Sequence, residues 1–142
     1  MYRLTKELYF PPVETALPEG ILAIGGDLLP ERLLLAYRNG IFPWFEEDEP
    51  ILWWAPNPRM VLFLDELMVS KSMRSILMKN SLTVTFNQNF REVISNCQQI
   101  KRGAQGGTWI TDEMMEAYCD LHQLGYAKSV EVWQNETLVG GL

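Results

Sequence analysis

The first half of the chain alternates between short apolar runs and segments rich in turn-forming residues. Residues 1 to 19 contain three prolines, and little regular structure is expected there. Residues 20 to 27 form an apolar run that closes on a glycine pair, and the spacing that follows predicts a helix from about Pro30 to Asn39. Residues 51 to 54 and 60 to 64 then predict two short strands around a Pro-Asn-Pro turn.

Apolar positions at helical spacing predict a second helix over residues 70 to 78. Ser70 is expected to cap it, because a serine oxygen can accept a hydrogen bond from the backbone of the first turn. Met73, Ile76 and Leu77 share one face of this helix and would point into the core.

The remaining pattern predicts a strand, two helices and a hairpin. Residues 82 to 86 alternate as a strand with one buried face would, and Asn87 is expected to cap the helix that follows. Thr111 is expected to cap a helix from Asp112 to Leu124, and alternation over residues 127 to 139 predicts a hairpin. The core stripe of the helix after Asn87 consists of Phe90, Val93, Ile94 and Cys97.

The chain stops immediately after the predicted hairpin, on Gly-Gly-Leu. A final strand without a capping element leaves a sheet edge unpaired. We therefore expect the sequence to be a piece of a longer fold.

Composition adds the size and the class of the protein. With 142 residues, of which 47% are apolar, the chain can form one ordinary domain or two small ones. No apolar run approaches the roughly 20 residues that span a bilayer, and the start lacks a signal-peptide core, so a cytoplasmic protein is expected.

The sequence gives little support for a cofactor or a metal. Cys119 and His122 would share one helical face, but two ligands do not make a site, and catalytic Cys-His pairs normally come from separate elements. The glycine pair at residues 25 and 26 lacks the spacing of a phosphate loop. We therefore predict no metal and no cofactor.

Charge is unevenly distributed along the chain. The net charge is −6, and residues 1 to 68 account for all of it with 5 basic and 11 acidic side chains, while residues 69 to 142 carry 7 of each. Residues 71 to 102 hold six basic side chains and one acidic one, a local charge of +5. This segment could attract a phosphate backbone, although an ordinary solvated face gives the same pattern. Part of the charge comes from the glycine-rich segment of residues 101 to 107, which is predicted to be a mobile loop.

Residues 40 to 59 concentrate the aromatic side chains, with three of the five tryptophans and four of the eight prolines. Trp44, Trp53 and Trp54 stand among turn-formers and an acidic run at residues 46 to 49. Rigid aromatic segments suit stacking on nucleobases or packing on a partner. Large aromatic residues are more often buried, so the local sequence by itself favours a core role for all three.

Five ordered motifs resemble one protein family, the bacterial leucyl/phenylalanyl-tRNA-protein transferases. The similarity covers nearly the whole chain without large gaps. The motifs are GILAIGGDL (20 to 28), LLLAYRNGIFPWF (33 to 45), PILWWAPNPR (50 to 59), GTWIT (107 to 111) and EVWQNETLVGG (131 to 141).

The resemblance implies an α+β fold in two parts. Residues 1 to 62 would form a small N-terminal α/β domain, and residues 63 to 142 the first part of an acetyltransferase-like (GNAT-like) domain that binds no acetyl-coenzyme A. The activity it implies is transfer of leucine or phenylalanine from aminoacyl-tRNA to the N-terminal arginine or lysine of an acceptor protein. That transfer marks the acceptor for degradation by the N-end rule.

The resemblance also implies roles for individual residues. Trp44 and Trp109 match the tryptophans that contact the 3′-terminal adenosine of the tRNA, which reverses the core interpretation for Trp44. The family's catalytic residues, and most of its pocket for leucine or phenylalanine, would lie beyond Leu142. The contacts to tRNA phosphates would come from Lys71, Arg74 and Lys79. In the same helix Ser75 and Met78 stand where the resemblance leads us to expect further basic residues, which implies weaker phosphate affinity.

Two alternatives remain open at this point. The chain could bind tRNA without catalysing transfer, since the implied catalytic residues are not among its 142 positions. An acyl-coenzyme A acetyltransferase is a poorer interpretation, because nothing in the sequence supplies a glycine-spaced pyrophosphate loop.

Overall fold

The computed structural model describes residues 1–100 and 108–142, and these residues form an α+β structure with two sheets. The seven strands are β1 (Tyr2–Leu4), β2 (Ile21–Gly25), β3 (Phe42–Pro43), β4 (Leu52–Trp54), β5 (Thr83–Phe86), β6 (Val130–Gln134) and β7 (Thr137–Gly141). The four α-helices are α1 (Pro30–Arg38), α2 (Lys71–Met78), α3 (Phe90–Gln99) and α4 (Asp112–Gln123). Short 3₁₀ turns lie at Val13–Thr15 and Leu64–Glu66.

The first sheet has the strand order β1-β2-β4-β3. β1 runs parallel to β2, and β4 runs antiparallel to both of its neighbours. Trp53 at the centre of β4 is fully buried, and its indole Nε1 donates to the carbonyl of Gly25 at 2.8 Å. The core role predicted for Trp53 is therefore confirmed.

The expectation of little regular structure before residue 20 is confirmed, but the short strand β1 in this segment was not predicted. Tyr2–Leu4 forms β1 because its backbone pairs with β2, some twenty residues later, and no local pattern signals such a pairing. Arg32 of α1 fastens the same segment: its Nη1 donates to the carbonyl of Glu7 at 3.1 Å and its Nη2 to that of Thr5 at 2.9 Å. Arg32 also forms an ion pair with Asp27 and is almost fully buried.

Helices α1 and α4 complete the core around the first sheet. Both helices follow the predicted bounds to within a residue, and α4 begins as expected at Thr111, whose Oγ1 accepts from Met114 N at 3.1 Å. The core therefore joins residues that lie about 100 positions apart in sequence. Its buried members are Leu4, Leu22, Ala23, Leu28, Leu33, Ala36, Ile41, Phe45, Trp53, Ala55, Met114, Ala117 and Leu121.

The second sheet is an antiparallel meander of β5, β6 and β7. Its predicted hairpin is confirmed, and the turn residues Asn135 and Glu136 both have positive φ, 47° and 65°, as a type I′ turn requires. Helix α3 crosses this sheet so closely that a Cβ on Gly141 would lie 2.9 Å from a methyl group of Val93.

Two predictions about residues 60 to 78 were wrong. Residues 60 to 64 form no strand, because no strand of the described residues pairs with them. Helix α2 exists and is capped as predicted, with Ser70 Oγ accepting from Met73 N at 3.2 Å. Its apolar face does not point into the core, since Met73, Ile76 and Leu77 are 42–61% exposed. An amphipathic pattern marks the apolar face of a helix but not the partner that covers it.

Two predictions around β5 also need correction. Val84 and Phe86 are exposed, and the more covered side chain of this strand is Thr85, which donates to the buried carboxylate of Glu131. Asn87 does not cap α3. It adopts a positive φ of 58° and its side chain accepts from Ser129 N at 3.1 Å.

Among residues 1–100 and 108–142, no helix combines the length and the apolar character needed to cross a bilayer. The loop predicted at residues 101 to 107 lies outside the described residues.

Candidate functional site

An open aromatic cavity of about 420 Å³ lies where the end of α1, the strand β3 and the start of α4 meet. Its volume falls within the range of roughly 300–1,000 Å³ typical of small-molecule sites. The residues that line it are Tyr37, Gly40, Ile41, Phe42, Pro43, Trp44, Arg59 and Trp109.

Trp44 is presented to the cavity by the end of β3. Its backbone N–H donates to the carbonyl of Leu52 in β4 at 2.9 Å, and its carbonyl accepts from Trp54 Nε1 at 2.8 Å. The rings of Trp44 and Trp54 pack with centroids 6.3 Å apart at an angle of 48°. Hydrogen bonds to its N–H and to its carbonyl therefore fix the backbone of Trp44, while 53% of the residue is exposed.

Trp109 reaches the cavity from the other end of the chain, two residues before the cap of α4. The preceding Thr108 fixes the position of this segment, since its Oγ1 donates to the carbonyl of Gln98 at 3.2 Å. The Trp109 ring packs edge-on against Tyr118, with centroids 6.2 Å apart, and 36% of the residue is exposed. The structure thus brings both sequence-predicted tryptophans to one cavity.

Two tyrosines, Tyr37 and Tyr118, lie beside Trp109 on this side of the cavity. The hydroxyl groups of Tyr37 in α1 and Tyr118 in α4 are hydrogen bonded to each other. Desolvation raises the pKa of Tyr37, partly offset by this hydrogen bond, and desolvation together with Tyr37 raises the pKa of Tyr118 further. Both phenols therefore stay protonated at neutral pH and can donate hydrogen bonds.

Arg59 supplies the positive charge of the cavity. Its Nη2 donates to the carbonyl of Gly40 at 2.7 Å. No carboxylate among the described residues forms a salt bridge with it, so the charge is open to a ligand.

The basic residues Lys71 and Arg74 lie on α2, and Lys79 follows its last turn. All three are exposed, and none of them lines the cavity. In the part of the chain that the structure describes they form no salt bridge, which leaves their charges free to meet a phosphate backbone.

Sequence reasoning missed three residues of the cavity. Tyr37 was not singled out as a site residue, yet it is 45% exposed and lines the cavity. Phe42 and Arg59 were not singled out, although both stand inside the motifs IFPW and PNPR that carry the resemblance.

The Cys119 and His122 pair has other roles. His122 stacks on Phe90 with ring centroids 4.3 Å apart, and its Nδ1 is 2.9 Å from the carbonyl oxygen of Ala127. Burial raises the pKa of the Cys119 thiol, which lowers its reactivity. Within residues 1–100 and 108–142, no group of three or more His, Cys, Asp or Glu side chains is placed to hold a metal ion.

Comparison with known families matches two regions of the chain. Residues 61–142 match the family described as leucyl/phenylalanyl-tRNA protein transferase, and residues 26–57 match the family described as its N-terminal domain. The class of protein that these matches define is an aminoacyltransferase.

Curated relatives carry the same name. The leucyl/phenylalanyl-tRNA–protein transferase of Flavobacterium johnsoniae is 72% identical over 142 residues, which is 100% of this chain and 67% of that protein. The transferase of Flavobacterium psychrophilum is 65% identical with the same coverage. That of Syntrophus aciditrophicus is 60% identical over 139 residues, 98% of this chain and 58% of that protein. The chain belongs to the leucyl/phenylalanyl-tRNA protein transferase family, as its motifs predicted, and spans about two thirds of the length of the Flavobacterium relatives.

Proposed function

We propose that the aromatic cavity binds the 3′-terminal adenosine of an aminoacyl-tRNA, with the base held by Trp44 and Trp109. The observation that carries this proposal is the convergence of two partly exposed tryptophans, from distant parts of the sequence, on one cavity. Arg59 lines the same cavity, and no carboxylate of residues 1–100 and 108–142 forms a salt bridge with it. Aromatic side chains stack on any exposed base, and each such contact contributes ~1–3 kcal/mol.

The reaction proposed for the protein is transfer of leucine or phenylalanine from the tRNA to the N-terminal arginine or lysine of an acceptor protein. The names of the relatives describe a leucyl or phenylalanyl donor and a protein acceptor. In this proposal the described residues bind and orient the donor, and none of them is assigned a catalytic role. The reaction belongs in the cytoplasm, where aminoacyl-tRNA is made.

The proposed domain organisation follows the two family matches. Residues 1 to 62 act as an N-terminal domain, and residues 63 to 142 belong to an acetyltransferase-like domain that uses no acetyl-coenzyme A. In this arrangement Lys71, Arg74 and Lys79 hold the phosphates of the tRNA body, because their exposed charges face solvent near the start of the second region.

The stacking proposal is tested by titrating the chain with tRNA that ends in adenosine and with the same tRNA lacking that adenosine. Trp44→Ala and Trp109→Ala should each weaken binding of the intact tRNA roughly 5- to 150-fold, since each removes ~1–3 kcal/mol of stacking. Removing the adenosine from the tRNA should weaken binding to the wild type. It should weaken binding to the variants much less, because they already lack the tryptophan on which the base stacks.

Tyr126→Ala serves as the matched control, since Tyr126 is an exposed aromatic residue that does not line the cavity. Unchanged affinity in both tryptophan variants, or an equal loss on removing the adenosine in variants and wild type, would rule out the stacking role.

A second candidate function is tRNA binding without transfer. It is favoured by the exposed cations Lys71, Arg74 and Lys79, which form no salt bridge among the described residues and suit phosphate binding whether or not transfer follows. Incubation with labelled leucyl-tRNA and an arginine-starting peptide separates the two candidates. Labelled peptide supports the transferase, and salt-dependent tRNA binding without labelled peptide supports the binding protein.

A further inference from the structure

A second cavity of about 280 Å³ adjoins the aromatic cavity. The two share Gly40 and Arg59 as a common wall. The other residues that line the second cavity are Val13, Glu14, Asn39, Ala55, Pro56 and Asn57.

The guanidinium of Arg59 is fixed at this common wall. It rests on Gly40, where a Cβ would meet Nη1 at 3.7 Å, and its Nη2 donates to the carbonyl of the same residue at 2.7 Å. A guanidinium has five N–H donors, so most remain for a ligand. Among the described residues that line either cavity, Arg59 is the one cation.

The second cavity is preformed by backbone contacts. The backbone of Ala55 donates to the carbonyl of Gly20 at 2.8 Å, and a Cβ on Gly20 would lie only 2.9 Å from Pro56 Cα. Glu14 sits in the 3₁₀ turn Val13–Thr15, which is closed by Thr15 Oγ1 donating to the carbonyl of Pro12 at 2.6 Å. Glu14, Asn39 and Asn57 are exposed polar residues that line this cavity, and the amide Nδ2 of Asn39 already donates to the carbonyl of Leu35 at 2.8 Å.

We propose that Arg59 binds the phosphate that joins the terminal adenosine to the nucleotide before it, and that the second cavity takes the base of that nucleotide. This inference rests on the proposed function, because it places the adenosine in the first cavity. A cation between two adjoining cavities is where the phosphate linking two bases would lie.

The chemistry of the second cavity fits cytosine, the base that precedes the terminal adenosine in tRNA. Cytosine presents an exocyclic amino group, for which a carboxylate such as Glu14 is the matching acceptor. The amide of Asn57 can both donate to and accept from the remaining edge of the base. Uracil carries a carbonyl oxygen at the same position, which a carboxylate would repel.

The positively charged N-terminus of an acceptor protein is a less suitable occupant. Glu14 could attract it, but Arg59 occupies the same wall and would repel it. The positive charge of Arg59 therefore favours a nucleotide over a positively charged N-terminus in this cavity.

The role of Arg59 is tested by measuring binding of adenosine, adenosine 5′-monophosphate and the dinucleotide CpA to the whole chain. Arg59→Ala should weaken the monophosphate and CpA roughly tenfold, which is the effect of losing hydrogen bonds to a charged group. Adenosine, which carries no phosphate, should lose clearly less affinity than the other two ligands, and the circular dichroism spectrum should show that the variant is folded.

The role of Glu14 is tested with CpA against UpA. Wild type should prefer CpA roughly 5- to 150-fold, because a matched base contact discriminates by ~1–3 kcal/mol. Glu14→Ala should bind the two dinucleotides equally while keeping its affinity for the monophosphate. Glu19→Ala is the control, since Glu19 is exposed in the same segment and does not line the cavity.

The results separate this inference from the function on which it rests. Binding of neither adenosine nor CpA by wild type overturns both. Binding of adenosine with no gain from the phosphate or cytidine, or an equal loss for all three ligands in Arg59→Ala, overturns only the inference. An arginine-starting peptide that displaces CpA but not adenosine would assign the second cavity to the acceptor instead.

Discussion

Trp53 and Trp54 are adjacent in sequence and lie on opposite faces of β4. Trp53 is fully buried and donates its indole N–H to the carbonyl of Gly25, whereas Trp54 lies beside the cavity and donates to the carbonyl of Trp44. The alternation of a strand produces this division, since successive side chains point to opposite faces. One tryptophan thus stabilises the core, and its neighbour fixes the position of a third that is exposed to ligand.

Glu131 is a fully buried carboxylate outside both cavities, and it has several hydrogen-bond donors. Burial raises its pKa, but the hydrogen bonds outweigh that effect and lower the pKa to about 2. The donors are Ser129 Oγ at 2.5 Å, Thr85 Oγ1 at 2.6 Å and Asn89 N at 3.2 Å.

We predict that Glu131→Gln destabilises the chain by ~1–3 kcal/mol at pH 7, because it replaces charge-assisted hydrogen bonds in a buried site. The folded pKa is depressed below the unfolded value of about 4.3, so the ionised carboxylate stabilises the fold above that value. This contribution is lost as the pH falls towards 2. Urea unfolding from pH 7 to pH 3 should therefore show a shallower pH dependence for the variant than for wild type.

Glu136→Gln is the matched control for this prediction, since Glu136 is exposed in the β6–β7 turn. Its unfolding should follow that of wild type at every pH. A Glu131→Gln variant that loses stability in parallel with wild type on acidification would contradict the assigned pKa.

At the scale of elements, α2 and α4 begin with the same capping hydrogen bond but differ in burial. Ser70 and Thr111 each accept from the backbone three residues on, at 3.2 Å and 3.1 Å. Helix α4 buries Met114, Ala117, Cys119 and Leu121, whereas no residue of α2 is buried.

We predict that the two caps differ in their effect on the whole fold. Thr111→Ala should lower the free energy of unfolding by ~1 kcal/mol, the usual contribution of a capping hydrogen bond, because α4 unfolds with the core. Ser70→Ala should leave global unfolding unchanged and increase amide hydrogen exchange within α2, since that helix can open locally. An equal loss of global stability in both variants would show that α2 is coupled to the core.

The sequence predicted elements better than it predicted their partners. The caps at Ser70 and Thr111 depend on residues within one turn, and both predictions were confirmed. The strand β1 was missed, and the apolar face of α2 was wrongly placed in the core, because burial and pairing depend on residues far away in the chain.

The same limit applies to the candidate site. Nothing local to Trp44 or Trp109 indicates that they share a cavity, since one follows β3 and the other precedes α4. The family resemblance alone predicted that Trp44 and Trp109 contact the same ligand. It did not identify Arg59, whose position depends on the contact of its guanidinium with Gly40.

At the scale of the whole molecule, net charge and local charge point in opposite directions. The chain carries −6 overall, which opposes binding of a polyanion, yet Lys71 and Arg74 of α2 and Lys79 directly after it are exposed to solvent. Release of counterions from tRNA depends on the contacts that are made rather than on net charge. The salt dependence of binding therefore measures how many of these cations touch phosphate.

We predict that tRNA affinity falls linearly with salt on logarithmic axes, and that changing all three cations to glutamine reduces the slope by about 3. Each single change should reduce it by about 1. Trp44→Ala should weaken binding without altering the slope, because stacking releases no counterions. Arg91→Gln is the control cation, since Arg91 already pairs with Glu116 at 2.6 Å. A triple variant with the wild-type slope, or an equal effect of Arg91→Gln, would show that the tRNA body lies elsewhere on the surface.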